Sequence, residues 1–164
     1  MAQQSGAKAL LFAVGVFAAV YLLRDAGLDQ PAPNFSLPET YGGAVDLASF
    51  HGRPVLLVFW TTSCGICRHE LPLLDRMMPE FRSKGIEVVA IHLGPKEDAR
   101  DYLRSNHIGV TCLVDAEGAV SQAYRVSGVP KMVMVGSDGK IKRSTAGMAG
   151  ESVLREWMDV VSGT

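Results

Sequence analysis

"VLLVFWTTSCGICRHELP", Val55 to Pro72, decides how this chain is read. Its first six residues are apolar without interruption, as a strand is when both of its faces are covered. From Gly65 the pattern changes, and Ile66, Leu71, Leu74, Met77, Met78 and Phe81 recur at helical spacing to about Lys84. Cys64 and Cys67 sit at the junction, with His69 close behind them. Pro72 falls inside the helix, where it removes one backbone donor and should kink it.

Three chemistries are open to such a pair: haem attachment, metal binding and disulfide exchange. Covalent haem attachment uses C-x-x-C-H, whereas here Arg68 follows Cys67 and His69 comes one residue late. A slip of one residue turns a helical side chain by about 100°, away from an iron held over the two thioethers. A closed zinc site takes about four ligands, usually in two close pairs. Cys112, His51, His69, His92 and His107 supply no second close pair.

Redox chemistry fits better. The first cysteine caps the helix, where free N–H groups and the dipole favour its thiolate, and the second can attack it to close a disulfide. The dipole is worth about 0.3–1 kcal/mol, while a pKa depression of about 1.5 units needs roughly 2 kcal/mol. Direct N–H···S contacts must therefore carry much of it, with Arg68 as a possible helper. A static disulfide and two ordinary core cysteines stay open on this evidence.

The chain has 164 residues, 48% of them apolar and 20% charged, with a net charge of −1, which suits one domain. Without a basic cluster there is no electrostatic reason to expect nucleic acid as a partner. "NFSLPETYGGAVDLASFHGRP" reads as a small hairpin and a helical turn, broken at Pro38 and Gly42-Gly43. Strands are expected at Ile86–Leu93 and Val110–Asp115, helices at Lys96–Asn106 and around Val120–Tyr124. A hairpin of Lys131–Val135 and Lys140–Thr145 follows, then a last helix over Glu151–Val161. Strands alternating with helices and closing on a hairpin give an α/β sandwich with a mixed sheet.

The N-terminus departs from this composition. Ala9 to Leu23 is a run of 15 uncharged residues between Lys8 and Arg24. A full bilayer span needs about 20 residues and a signal core about 7–15, so the run lies between them. Gly6 and Ala7 extend it, Lys8 and Arg24 can snorkel, and no A-x-A cleavage pattern follows. A retained anchor is favoured over a cleaved signal or a core helix, followed by a short tether over residues 24–33.

Taken with "APNFSLPET", "DLASFHGRPVLLVFW" and "DAEGAVSQAYRVSGVP", the opening stretch resembles the thioredoxin fold. The likeness is strongest to the membrane-tethered TlpA-like and ResA-like bacterial thiol-disulfide oxidoreductases, and covers Ala32 to Val161. It implies an α/β thioredoxin-like fold, with a central mixed β-sheet flanked by helices, an N-terminal hairpin extension and an N-terminal transmembrane helix. Residues 1–30 would be anchor and tether, and residues 31–164 the thioredoxin-like domain.

Carried over position by position, Cys64 is the nucleophile and Cys67 the resolving thiol. Pro130 is the expected cis-proline beside the pair, with Val129 and Trp60 as further substrate-binding positions. Two departures matter. Val58 stands where thioredoxin keeps a buried acid, and Ser63 where a tryptophan often precedes the first cysteine. Glu70, one turn past Cys67, matches a glutamate that ResA-like proteins place beside their site. It would tune or deprotonate the pair, unless it is a solvated surface residue. Cys112 reads as a small buried residue, His69 as exposed, and Trp60 as packing at its strand end.

The resemblance implies disulfide exchange with protein partners on the periplasmic or extracytoplasmic side of a bacterial cytoplasmic membrane, without cofactor or metal. It suggests reduction, as of apocytochrome c or copper-site cysteines, with thiols resupplied by a membrane donor of the DsbD/CcdA kind. A DsbA-type oxidant is an alternative. A peroxiredoxin would want proline at Leu57, although Thr61 fits its pattern. A Cu(I)-binding metallochaperone module could use the two thiolates, with Met132 and Met134 on one strand face.

Overall fold

The computed structural model describes residues 28–163. Strand β3 (Val55–Trp60) lies at the centre, and all six of its residues are buried. It pairs in parallel with β4 (Glu87–His92) and antiparallel with β6 (Lys131–Val135). β5 (Thr111–Val114) and β7 (Ile141–Ala146) complete a five-stranded sheet in the order β5-β4-β3-β6-β7. The expected mixed sheet is present, with strand ends within one or two residues of those read from the sequence.

Alternation along β3 feeds two cores. Leu56, Val58 and Trp60 point to the face covered by α1 (Gly65–Ser83), α2 (Lys96–Ser105) and α4 (Glu151–Ser162). There they meet Leu71, Leu74 and Phe81 of α1, Leu103 of α2, and Leu154 and Met158 of α4. Val55, Leu57 and Phe59 point to the other face, against Phe35, Leu37 and Tyr124. That side carries the hairpin β1–β2 (Ser36–Pro38 and Ala44–Asp46), a 3-10 turn at Leu47–Phe50, and the short α3 (Ala119–Ala123). Tyr124 ties the hairpin side down, because its hydroxyl donates to the Pro33 carbonyl at 2.8 Å.

Two prolines, Pro72 and Pro79, lie within α1. Pro72 cannot donate to the carbonyl four residues earlier, that of Arg68. The Tyr102 hydroxyl, reaching across from α2, donates to that oxygen at 3.4 Å. At the other edge of the domain the chain before the hairpin runs antiparallel to the start of β7. Asp29 N–H donates to the Ile141 carbonyl, Ile141 N–H to Gln30 and Ala32 N–H to Gly139, at 2.7–2.9 Å. Asp29 also accepts from Lys142 Nζ at 2.8 Å.

The expected transmembrane helix at residues 9–23 lies outside the described residues. Among those described, no helix is long and apolar enough to cross a membrane.

Leu74 is fully buried where α1 packs on the sheet, so Leu74→Ala removes buried methyl groups and leaves a cavity. The expected loss is about 2–5 kcal/mol of unfolding free energy, read from the urea midpoint at unchanged slope.

Candidate active site

The site forms where β3 ends and α1 begins. Cys64 is the N-cap of α1, with extended backbone angles, and its Sγ accepts from the Cys67 N–H at 3.1 Å. Its partner is Cys67, and the two sulfurs are joined as a disulfide. The pair is unequal: Cys64 is half-buried, while Cys67 is wholly buried. Any sulfur arriving from outside therefore meets Cys64 first. The kind of N–H···S contact that the dipole arithmetic calls for is present as that single amide, on Cys64.

Val129 and Pro130 approach from the loop before β6. Their peptide bond is cis, and the Val129 carbonyl oxygen lies 3.5 Å from Cys64 Sγ. Gly147, in the left-handed region at φ +94°, donates its N–H to the Pro130 carbonyl at 2.7 Å. Two residues on, Ala149 N–H donates to Glu70 Oε1 at 3.3 Å. The β7–α4 loop thus touches both the cis-proline and the first turns of α1. Met148, at its tip, and Ile66, between the cysteines, are large apolar side chains exposed to solvent.

Glu70 is not a surface residue. It is 0% exposed, on the buried face of α1 that also carries Cys67. Burial pushes its carboxyl up to about 7, and the Ala149 amide opposes this only in part. Oε2 has no hydrogen-bond partner among the described residues, so the group has one open oxygen able to hold a proton. Val58, where an acid stood in the expected pattern, is a core residue.

Trp60 is fully buried, so its side chain supports the site from below and does not reach the surface a substrate would touch. Its ring packs edge-on to His92 with centroids 4.8 Å apart, and tilts against Tyr102 at 5.4 Å. His92, which no sequence motif marks, is the last residue of β4. It is 2% exposed, and neither ring nitrogen has a partner among the described residues. Burial holds its pKa below the usual histidine range, against weaker pulls from the Gly94 backbone and Asp98. Cys112 is buried, and the loss of hydration pushes its thiol up to about 12, leaving it inert. His69 is exposed, as expected. Met132 and Met134 are both fully buried in the core.

The mixed sheet with its flanking helices, and a C-x-x-C disulfide at the start of α1, define the class: a thioredoxin-like thiol-disulfide oxidoreductase. The chain belongs to the AhpC/TSA family, whose sequence profile matches residues 28–144. Among its relatives is the thiol-disulfide oxidoreductase ResA of Bacillus subtilis strain 168, 30% identical over 131 residues, which are 79% of this chain and 73% of that one. In structure it is similar to a Chlorobium tepidum protein assigned as thiol:disulfide interchange protein DsbE. The TM-score is 0.77 at 29% identity, over 83% of this chain and 98% of the other. A secreted Mycobacterium tuberculosis disulfide oxidoreductase homologous to E. coli DsbE gives 0.66 at 25% identity, over 77% of this chain and 95% of that one.

The raised Glu70 pKa fixes the sign of a pH effect. The unfolded carboxyl ionises near the ordinary 4.5 and the folded one near 7, so its contribution is fully present below 4.5 and is lost as pH rises through 7. Glu70→Gln should flatten this slope and raise stability at pH 8 by a few kcal/mol at most, measured by denaturant unfolding of the oxidised protein across that range.

Proposed function

We propose that the protein reduces disulfides in other proteins on the outer side of the cytoplasmic membrane. The observation that carries this is the asymmetry of the pair, with an accessible Cys64 over a buried Cys67. In the reduced form the Cys64 thiolate attacks one sulfur of a substrate disulfide. The substrate S–S bond breaks, its other sulfur leaves as a thiolate and takes a proton, and a mixed disulfide forms on Cys64. Cys67 then loses its proton and attacks Cys64 Sγ. The second substrate thiol departs, and the pair closes as an intramolecular disulfide. Electrons return from an external dithiol, for which a membrane donor of the DsbD/CcdA kind is the natural supplier.

Glu70 is the acceptor for the Cys67 proton in this scheme. It sits one turn along the same helix face, and its pKa near 7 suits a group that must take and return a proton near neutrality. Val129 and Pro130 offer backbone to an extended substrate beside Cys64, and the exposed Ile66 and Met148 offer it apolar contact. Apocytochrome c and copper-site proteins, whose paired cysteines must stay reduced, are the substrates this reading favours. The uncharged run at residues 9–23, read as a retained anchor, keeps the domain at the membrane.

The AhpC/TSA family name also touches the peroxidase alternative. Leu57 stands where that signature has proline and is a fully buried β3 residue, and Cys64 finds its partner only three residues away. Both features favour the dithiol reading.

Cys67→Ala should accumulate mixed disulfides on Cys64 that run as thiol-sensitive adducts on non-reducing gels; Cys64→Ser should form none, and a Cys67→Ala protein without adducts would refute disulfide exchange. Glu70→Gln should slow reduction of a disulfide substrate and move the thiol titration, followed by thiolate absorbance, whereas unchanged thiol pKa values would remove Glu70 from the mechanism.

A further inference from the structure

A broad open groove that the cysteines do not line runs along the outer side of β7. Its walls come from Leu28 and Gln30 before the hairpin, the end of α3, β7 and α4. The charged residues lining it are Arg125, Lys131, Arg143 and Glu156, three cations to one carboxylate. Among the described residues none of the three cations is ion-paired. Lys131 Nζ donates to the Tyr124 and Arg125 carbonyls, and Arg143 to the Lys142 carbonyl, so both are held in place. Asp29 lies near, but its carboxylate is taken by Lys142.

The tether runs directly into this groove. Asp29, Gln30 and Ala32 are bonded to β7 and the turn before it, in an antiparallel register. Going back along the chain from Gln30 to Leu28 therefore leads along β7 towards Ala146, which pairs with Lys131 beside Pro130. Only four residues, Arg24 to Gly27, separate Leu28 from the apolar run ending at Leu23. Five Cα steps span at most about 17 Å. If Leu23 is in a bilayer, the β7 edge cannot be far from its surface.

We propose that the groove is a membrane-docking surface, in which Arg125, Lys131 and Arg143 take the phosphates of anionic lipid headgroups. This rests on the reading of residues 9–23 as a membrane anchor. The domain then lies with its β7 edge on the bilayer and its opposite edge, β5 and α2, about four strand spacings or 19 Å further out. Because the groove begins one residue after Pro130, the mouth of the redox site is held low over the membrane. It favours partners whose cysteines lie at that surface.

The test uses the full chain in its oxidised form. Cys64 and Cys67 are then closed and Cys112 is buried, so a cysteine placed by Ser144→Cys in β7 is the thiol that takes a dye. A second protein carries the dye through Ser105→Cys, at the exposed end of α2. Both are reconstituted in phosphatidylcholine vesicles with and without phosphatidylglycerol, with a nitroxide on some headgroups as quencher. The expected result is several-fold stronger quenching from Ser144 than from Ser105, greater with phosphatidylglycerol, and cut by roughly half or more in the double variant Arg125→Glu, Arg143→Glu. Equal quenching at the two sites, or an Ser144 dye beyond reach of lipid, would assign the groove to another occupant, such as an acidic polypeptide or a second copy, and overturn the proposal. Quenching indifferent to both lipid charge and charge reversal would overturn it too. A chain that does not float with vesicles overturns the anchor reading and the docking with it, while leaving thiol exchange at Cys64 untouched.

Discussion

A polar side chain on a strand whose two faces are both buried costs free energy unless it is paired, and β3 carries no charged side chain from Val55 to Trp60. Everything polar in the site is consequently displaced to where the strand stops. The chain leaves the sheet at Trp60, turns through Thr61–Ser63, and enters α1 with Cys64 at its N-cap. The parallel partner β4 ends opposite, at His92, and the antiparallel partner β6 begins just after Pro130. Cys64, the cis-proline and the helix N-terminus are thus collected where these strands end, and the Gly147 N–H on the Pro130 carbonyl helps to hold them there.

Beneath those strand ends, among the described residues, the packing tolerates three side chains that lack full hydrogen bonding: Glu70, His92 and the Trp60 indole N–H. An unpaired buried polar group costs roughly 1–3 kcal/mol. Glu70 meets that cost by holding its proton into the neutral range, and His92 by staying neutral. Val58 packs in the core of β3, and the buried acid of this region stands instead on the helix, one turn from Cys67. The acid is then carried by the element that carries the cysteines.

Much of this was legible in the sequence because the periodicity changes sharply at the cysteine pair. An unbroken apolar run admits little but a covered strand, and the helical stripe after Gly65 is long. The depth of Glu70 is also legible in the helical pattern. Cys67, Glu70, Leu71, Leu74, Met78 and Phe81 follow one helical face, so the glutamate had to point where the leucines point. His92 likewise shares its strand face with Val88 and Ala90. Trp60 follows the same logic: strand alternation sends its ring into the core, as its reading as packing at the strand end requires. The contacts of Gly147 with Pro130 and of Ala149 with Glu70 had no local signal, since they join residues that only the closed sheet brings together.

The pairing of residues 29–32 with the start of β7 has a further effect, on solubility. β7 is an outer strand, and an outer strand offers unpaired N–H and C=O groups to any strand of another molecule. The tether occupies that position over Gly139–Ile141 and brings Pro31, which has no N–H to offer, to its outer side. Beyond it Lys142 and Arg143 place charge along the remaining edge. The segment that links the domain to its N-terminus therefore also shields the sheet from growing by one more strand.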